Sequence, residues 1–120
     1  MYFQRDIVLM PFPFTDLSQL KNRPALIISN NLVNSFNEYT CLLITSKIRE
    51  DHTFFLITEE MLEEPIKLQS GIRLHKLFTV HGDKINGKLS SMREPDFKNV
   101  ISSLNSKVFQ PNQQSIPIFS

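Results

Sequence analysis

The sequence predicts a mainly β protein: a small, strongly bent antiparallel sheet or barrel, with short added helices and a C-terminal amphipathic helix. Three observations predict it. Short apolar runs recur along most of the chain and are separated by turn-forming residues. The hydrophobic period changes once, from two to 3.6, near residue 97. The 120 residues suffice for one core and no more. Residues 1–108 are read as a single domain and residues 109–120 as a polar tail.

Each element has its own signal. Asp6-Ile7-Val8-Leu9-Met10 reads as a strand buried on both faces. Pro11 and Pro13 are expected to end it, since proline cannot donate to a sheet ladder. Thr15-Asp16-Leu17-Ser18 is turn chemistry, and the loop is expected to run on to Asn22. Residues 24–29 form the second strand. Residues 30–37, rich in Asn and Ser, predict a loop with one helical turn. Residues 39–45 and 53–58 are the third and fourth strands. Thr58 is positioned to cap a short helical turn over residues 58–64. Gly71 opens a strand over residues 72–80. It carries Ile72, Leu74 and Lys76 on one side and Arg73, His75, Leu77 and Thr79 on the other, with a bulge expected near residues 76–78. His81-Gly82-Asp83 is a turn, and residues 85–89 form the last strand. Phe97, Val100, Ile101, Leu104 and Val108 then fall on one helix face. Pro95 suits the first turn, and Ser91 with Glu94 has capping-box spacing.

Composition excludes several classes. The chain is 41% hydrophobic and 21% charged, ordinary for a globular protein. A net charge of +1 lacks the broad basic field of a long-duplex binder, but leaves room for a local site on single-stranded nucleic acid. One cysteine, Cys41, permits no internal disulfide and argues against a zinc cage. His52, His75 and His81 lack metal-ligand spacing, and no phosphate-binding loop, dinucleotide fingerprint or nucleophile elbow is present. No metal or other cofactor is therefore expected. The apolar runs are too short to span a membrane, and the N-terminus lacks signal-peptide features, so the cytoplasm is the expected compartment.

Two stretches carry chemistry. Lys21-Asn22-Arg23 leads directly into the apolar run Pro24-Ala25-Leu26-Ile27-Ile28. An arginine at a strand mouth can present a planar fork to a phosphodiester; the alternative is a surface ion pair, for example with Asp16. In Leu42-Leu43-Ile44-Thr45-Ser46-Lys47-Ile48-Arg49, an apolar strand ends in two hydroxyls with cations behind them. That suits a phosphate, but equally a strand-terminal turn with a solvated basic edge. Glu59, Glu60, Glu63 and Glu64 read as a solvated acidic face.

In order, "DIVLMPFPFTDLS…KNRPALIISN", "LLITSKI", "SGIRLHKLFTV" and "GKLSSMREPDFKNV" resemble the PemK/MazF family, the toxin halves of bacterial type II toxin–antitoxin pairs. The resemblance covers about residues 5–105. It implies a small SH3-like barrel, a homodimer, and metal-independent, sequence-selective cleavage of single-stranded RNA. The products would be 2′,3′-cyclic phosphate and 5′-hydroxyl ends, and a cognate acidic antitoxin would block the groove. It assigns catalysis to Arg23 and Thr45, and RNA contact to Phe14, Lys21, Asn22, Ser46, Lys47 and Lys76. Some relatives carry an arginine and an aspartate where this chain has Phe78 and His81. That leaves His75 or His81 to assist proton transfer, with an ordinary strand histidine as the alternative reading. The competing function is a catalytically inactive SH3-like barrel that only binds or regulates.

Overall fold

The computed structural model describes residues 1–13, 20–66 and 69–112. Consecutive apolar residues, whose side chains point alternately to opposite sides, give the central strands β1 (Asp6–Pro13), β2 (Leu20–Ile27) and β3 (Glu38–Thr45) two buried faces. Ile7, Leu26, Leu42 and Ile44 face a larger core completed by Ile72, Leu74, Met92 and the helix residues Phe97, Val100 and Leu104. Val8, Met10, Ala25, Ile27, Tyr39 and Cys41 face the other way, into a smaller core with Ile85. Each fully buried Leu or Ile contributes about 1.5–3 kcal/mol.

With β4 (Phe54–Ile57), β5 (Ser70–His81) and β6 (Gly87–Ser91), these strands form one antiparallel sheet in the order β4-β5-β3-β2-β1-β6. The sheet curls until the segment after β4 meets the end of β6. Leu62 bridges Met92, the Glu63 N–H donates to the Ser91 carbonyl at 2.8 Å, and the Arg93 N–H donates to the Met61 carbonyl at 2.7 Å. The result is a mainly β half-barrel of the SH3-like type. The C-terminal helix α2 (Glu94–Leu104) packs on its larger core, as its period predicts. The short helix α1 (Asn31–Asn34) is capped by Asn30, whose side chain accepts from the Leu32 N–H at 3.0 Å.

Several boundaries differ from the sequence reading, each for a physical reason. β1 continues through Pro11 and Pro13, which lie opposite Asn22 and Leu20. β6 pairs with β1 only from Asp6 to Leu9. The prolines therefore fall where one flank of β1 has no paired strand among the described residues, and where a missing N–H costs least. β2 starts at Leu20, so Lys21, Asn22 and Arg23 are strand residues opposite Phe12, Pro11 and Met10. The last strand begins at Gly87 rather than residue 85, because Ile85 is spent on the second core. The capping box does not form. Arg93 stands at the N-cap, and the Ser91 hydroxyl donates instead to Asp6 Oδ1 at 2.7 Å, where a buried carboxylate needs donors. Thr58 does precede a helical turn, Glu59–Met61, but makes no capping bond to it.

The bulge in β5 is longer and slightly earlier than expected. β3 moves two residues, from Ile44 to Leu42, while β5 moves five, from Ile72 to Leu77. Residues 73–76 thus bow away from β3. Just before them, Gly71 lies against the Phe54 ring so closely that a Cβ there would strike it.

Candidate active site

The second face of the sheet changes character along its length. The face that buries Val8, Met10, Ala25, Ile27, Tyr39 and Cys41 continues, at the same period of two, through Phe12, Arg23, Leu43 and Thr45. These four help to line an open groove of about 540 Å³ with Ser46, Lys47, Arg49, Arg73, His75 and Lys76.

Strand pairing explains the opening. The β2–β3 ladder pairs Ile27 with Cys41, Leu26 with Leu42 and Ala25 with Leu43, and there it ends. The next residue of β2 is Pro24, which has no N–H with which to extend it. Continued by two residues, the same register sets Arg23 across from Thr45. The half-buried guanidinium and the half-buried hydroxyl therefore face one mouth from two strands that have stopped pairing. The long bulge carries Arg73, His75 and Lys76, which form the third wall.

The electrostatics are local. The chain carries a net charge of only +1, yet Arg23, Lys47, Arg49, Arg73 and Lys76 share this one groove. Asp51 lies close to the Arg73 and Arg49 charges. Its carboxyl is held below the usual range, first by the Thr53 hydroxyl bond at 2.6 Å and then, more weakly, by the Thr53 N–H and those two arginines. The Thr45 hydroxyl accepts the Lys47 N–H at 3.1 Å, which leaves its own proton to donate into the groove. Arg73 presents its terminal nitrogen to His75 Nε2 at 3.4 Å, while its buried Nε has no hydrogen-bond partner among the described residues. A guanidinium can only donate, so this contact calls for an unprotonated His75 Nε2. Partial desolvation, then the Arg73 and Lys76 charges, lower the His75 pKa from its ordinary 6.5 and favour the same neutral ring.

Residues 3–108 match the family described as PemK-like, MazF-like toxin of type II toxin–antitoxin system. The chain belongs to this family. No curated protein sequence matches it. Among solved structures, it is similar to an endoribonuclease in complex with its cognate antitoxin from a mycobacterial species. The TM-score is 0.73 at 16% identity, over 94% of this chain and 100% of that one. A MazE–MazF complex from Deinococcus radiodurans gives 0.71 at 13% identity, over 88% of this chain and 94% of that one. The Mycobacterium tuberculosis toxin MazF-mt6 gives 0.63 at 13%, over 82% and 93%. At such identities these likenesses speak for the fold.

In this PemK/MazF chain, the groove gathers Arg23, Thr45, Ser46, Lys47 and Lys76 of the residues singled out from sequence. Lys21 and Asn22 instead line a neighbouring cavity of about 370 Å³, walled by Leu9, Ile44, Ile57 and Leu89 among others. Asn22 Oδ1 there accepts from Asn86 Nδ2 at 2.8 Å. Arg23 and Ser46 border both spaces. Phe14 lies outside the described residues. His81 does not line the groove; its Nδ1 accepts the Asp83 N–H at 3.2 Å and stabilises the turn Gly82–Lys84. The sequence reading did not pick out Arg73 and Phe12 as site residues. Arg73 was legible in the alternation that set it on one side of its strand with His75. Phe12 was hidden because its strand was expected to have ended. Among the described residues, no three His, Cys, Asp or Glu side chains group to hold a metal ion.

Proposed function

We propose that this PemK/MazF-family chain is an endoribonuclease that cleaves single-stranded RNA at the Arg23–Thr45 groove. The observation that carries the proposal is the convergence of an arginine, a threonine hydroxyl and a histidine at one basic mouth on a nearly neutral protein.

In this reading, the groove cations hold the phosphodiester and its neighbours. The ribose 2′-hydroxyl gives its proton to His75 Nε2 and attacks phosphorus. Arg73 releases that nitrogen as it turns to a phosphoryl oxygen. Arg23 and the Thr45 hydroxyl stabilise the charge that builds on the two non-bridging oxygens. The P–O5′ bond breaks, and the departing oxygen takes a proton from solvent. The products are a 2′,3′-cyclic phosphate and a 5′-hydroxyl. Arg23 serves as a charge clamp, because a guanidinium holds its protons too tightly to be an efficient acid. No step in this reading calls on a metal ion, so the reaction proceeds in EDTA.

The same groove suits a regulator. An acidic segment with apolar anchors is complementary to the basic groove and to the apolar cavity that adjoins it through Arg23 and Ser46. We assign that role to a cognate acidic antitoxin, and the active form to a homodimer acting on messenger RNA in the cytoplasm. No helix among the described residues is long and apolar enough to cross a membrane.

Induction in a bacterial host, followed by mapping of 5′-hydroxyl RNA ends, tests the proposal. New ends at a recurrent short motif, absent with Arg23→Ala, are expected. Unchanged ends with a folded parent protein would leave a barrel that only binds.

A further inference from the structure

We propose that the apolar cavity beside the groove is a binding site for a small aliphatic amphiphile with one anionic head, and that its occupant shares Arg23 with the groove. Binding at the cavity stands on its own. Only the effect on RNA rests on the RNA-cleaving reading.

The cavity lies along the seam of the curled sheet. There Leu62 bridges Met92, the Glu63 N–H donates to the Ser91 carbonyl, and the Ser90 hydroxyl donates to the Glu64 carbonyl at 2.8 Å. Just beyond these contacts, Leu89 of β6 and Ile66 of the facing segment both line the cavity of about 370 Å³. Ile7, Ile44, Ile57 and Leu62 line it too, and all four are buried members of the larger core. The space therefore runs inward from the exposed Lys21 and Asn22 to the centre of the fold. Interiors are normally close-packed, and small-molecule sites begin at about 300 Å³.

The lining selects the ligand. Its described apolar residues are all aliphatic or proline, so a nucleobase finds no ring on which to stack. A flexible alkyl chain suits such walls, because it gains by burial and dispersion without needing a polar partner. The charged residues of the described lining are Lys21 and Arg23, with no Asp or Glu to oppose them. One apolar chain ending in one anion is complementary to both features. A guanidinium has five donors in a planar fork, which lets Arg23 hold a carboxylate or phosphate head while it borders the groove. An arginine neutralised by that head is lost to the phosphodiester.

The test is calorimetric titration with decanoate at concentrations where it is monomeric. Saturable one-to-one binding is expected. Decanol and decyltrimethylammonium should bind at least about tenfold more weakly, the scale of one hydrogen bond to a charged group. Each methylene removed from the acid should weaken binding about fourfold. Decyl phosphate tests the other head, and the tighter of the two anions names the ligand class. Leu89→Phe, which fills the cavity, should abolish binding. Leu89→Met, which keeps the volume, should retain it and guards against a misfolded phenylalanine variant. Decanoate should also inhibit RNA cleavage by the parent and by Leu89→Met, each measured against its own rate, but not by Leu89→Phe. No binding to the parent, or equal binding of all three heads, would overturn the inference and leave the nuclease reading intact. Decanoate that binds without slowing cleavage would overturn the shared role of Arg23. A parent protein that binds decanoate but cleaves no RNA would overturn the nuclease reading alone.

Discussion

The two faces of the β1–β2–β3 sheet are built from alternate residues of the same strands, yet only one of them opens into a basic groove. The first face reads Ile7, Leu26, Leu42 and Ile44, and the curl of the sheet and α2 cover it. The second reads Val8, Met10, Ala25, Ile27, Tyr39 and Cys41, then changes to Phe12, Arg23, Leu43 and Thr45. A covered face gains stability from the burial of its apolar side chains. A face covered at one end only leaves the other end rigid but open, which is what a site must be to bind a ligand without first ordering itself. The buried Cys41 thiol, its pKa pushed up to about 12 by desolvation, marks how dry the closed end is. Within the same β3 strand, Thr45 is already half exposed.

The contrast is broken most severely from the first face. Leu42 is fully buried in the larger core, so Leu42→Ala should cost about 2–5 kcal/mol of stability through lost transfer energy and a cavity. Urea unfolding should show a lower midpoint, and any lost activity should return when the fold is restored at low temperature. A loss under 1 kcal/mol would mean that this face is not the tightly packed one.

On the open end of the second face, the signs reverse. Arg23→Ala should slow RNA cleavage by about a hundredfold or more, the scale for removing one charge-stabilising donor. Its unfolding midpoint should stay near the parent's, because Arg23 is only half-buried at the mouth. Arg23→Lys should recover little, since an ammonium cannot bridge two phosphoryl oxygens. Parent-like cleavage by Arg23→Ala would return this residue to an ordinary surface role. Thr45→Val should act in the same direction more weakly, by roughly tenfold, the cost of one hydrogen bond to a charged group. It keeps the shape of the side chain while removing the hydroxyl that the Lys47 N–H orients.

How much of this was legible in the sequence also follows the two faces. The core strands and α2 announce themselves, because alternating or 3.6-period apolar residues have few other uses. Leu20, Lys21 and Asn22 read as loop, since nothing in these three residues shows that β1 lies opposite and supplies their hydrogen bonds. Pro11 and Pro13 read as terminators, since a sequence cannot show that one flank of their strand is empty. Ser91 reads as a cap, since its true partner, Asp6, is distant in the chain. Arg23 and Thr45 stood out from their blocks and from the family resemblance. Their alignment across the end of a broken ladder, and the bulge that brings Arg73 and His75 to them, depend on pairing register, which local pattern specifies only weakly.

The smallest predicted effect sharpens the comparison on the open end through His75. Its ring is exposed, yet desolvation, then Arg73, then Lys76, lower its pKa below 6.5, with Asp51 opposing. A base must be neutral to act, so kcat/KM should hold its plateau below pH 6.5 and fall only as pH drops through the lowered value. His75→Ala should lose that acid limb together with rate. Lys76→Met removes the weaker of the two cationic causes on β5, so the acid limb should move a little towards higher pH and stay short of the ordinary histidine value. Stability follows the same sign. Between the lowered folded value and the unfolded one, the unfolded chain binds more protons, so stability rises with pH across that window and is lost as pH falls through it. Screening around an exposed ring keeps the stability part small; the kinetic part is the one to measure. If Lys76→Met shifts the limb towards lower pH, or if His75→Ala keeps it, the titrating group in the groove is another one, and the neutral imidazole beside Arg73 is a bystander to the chemistry.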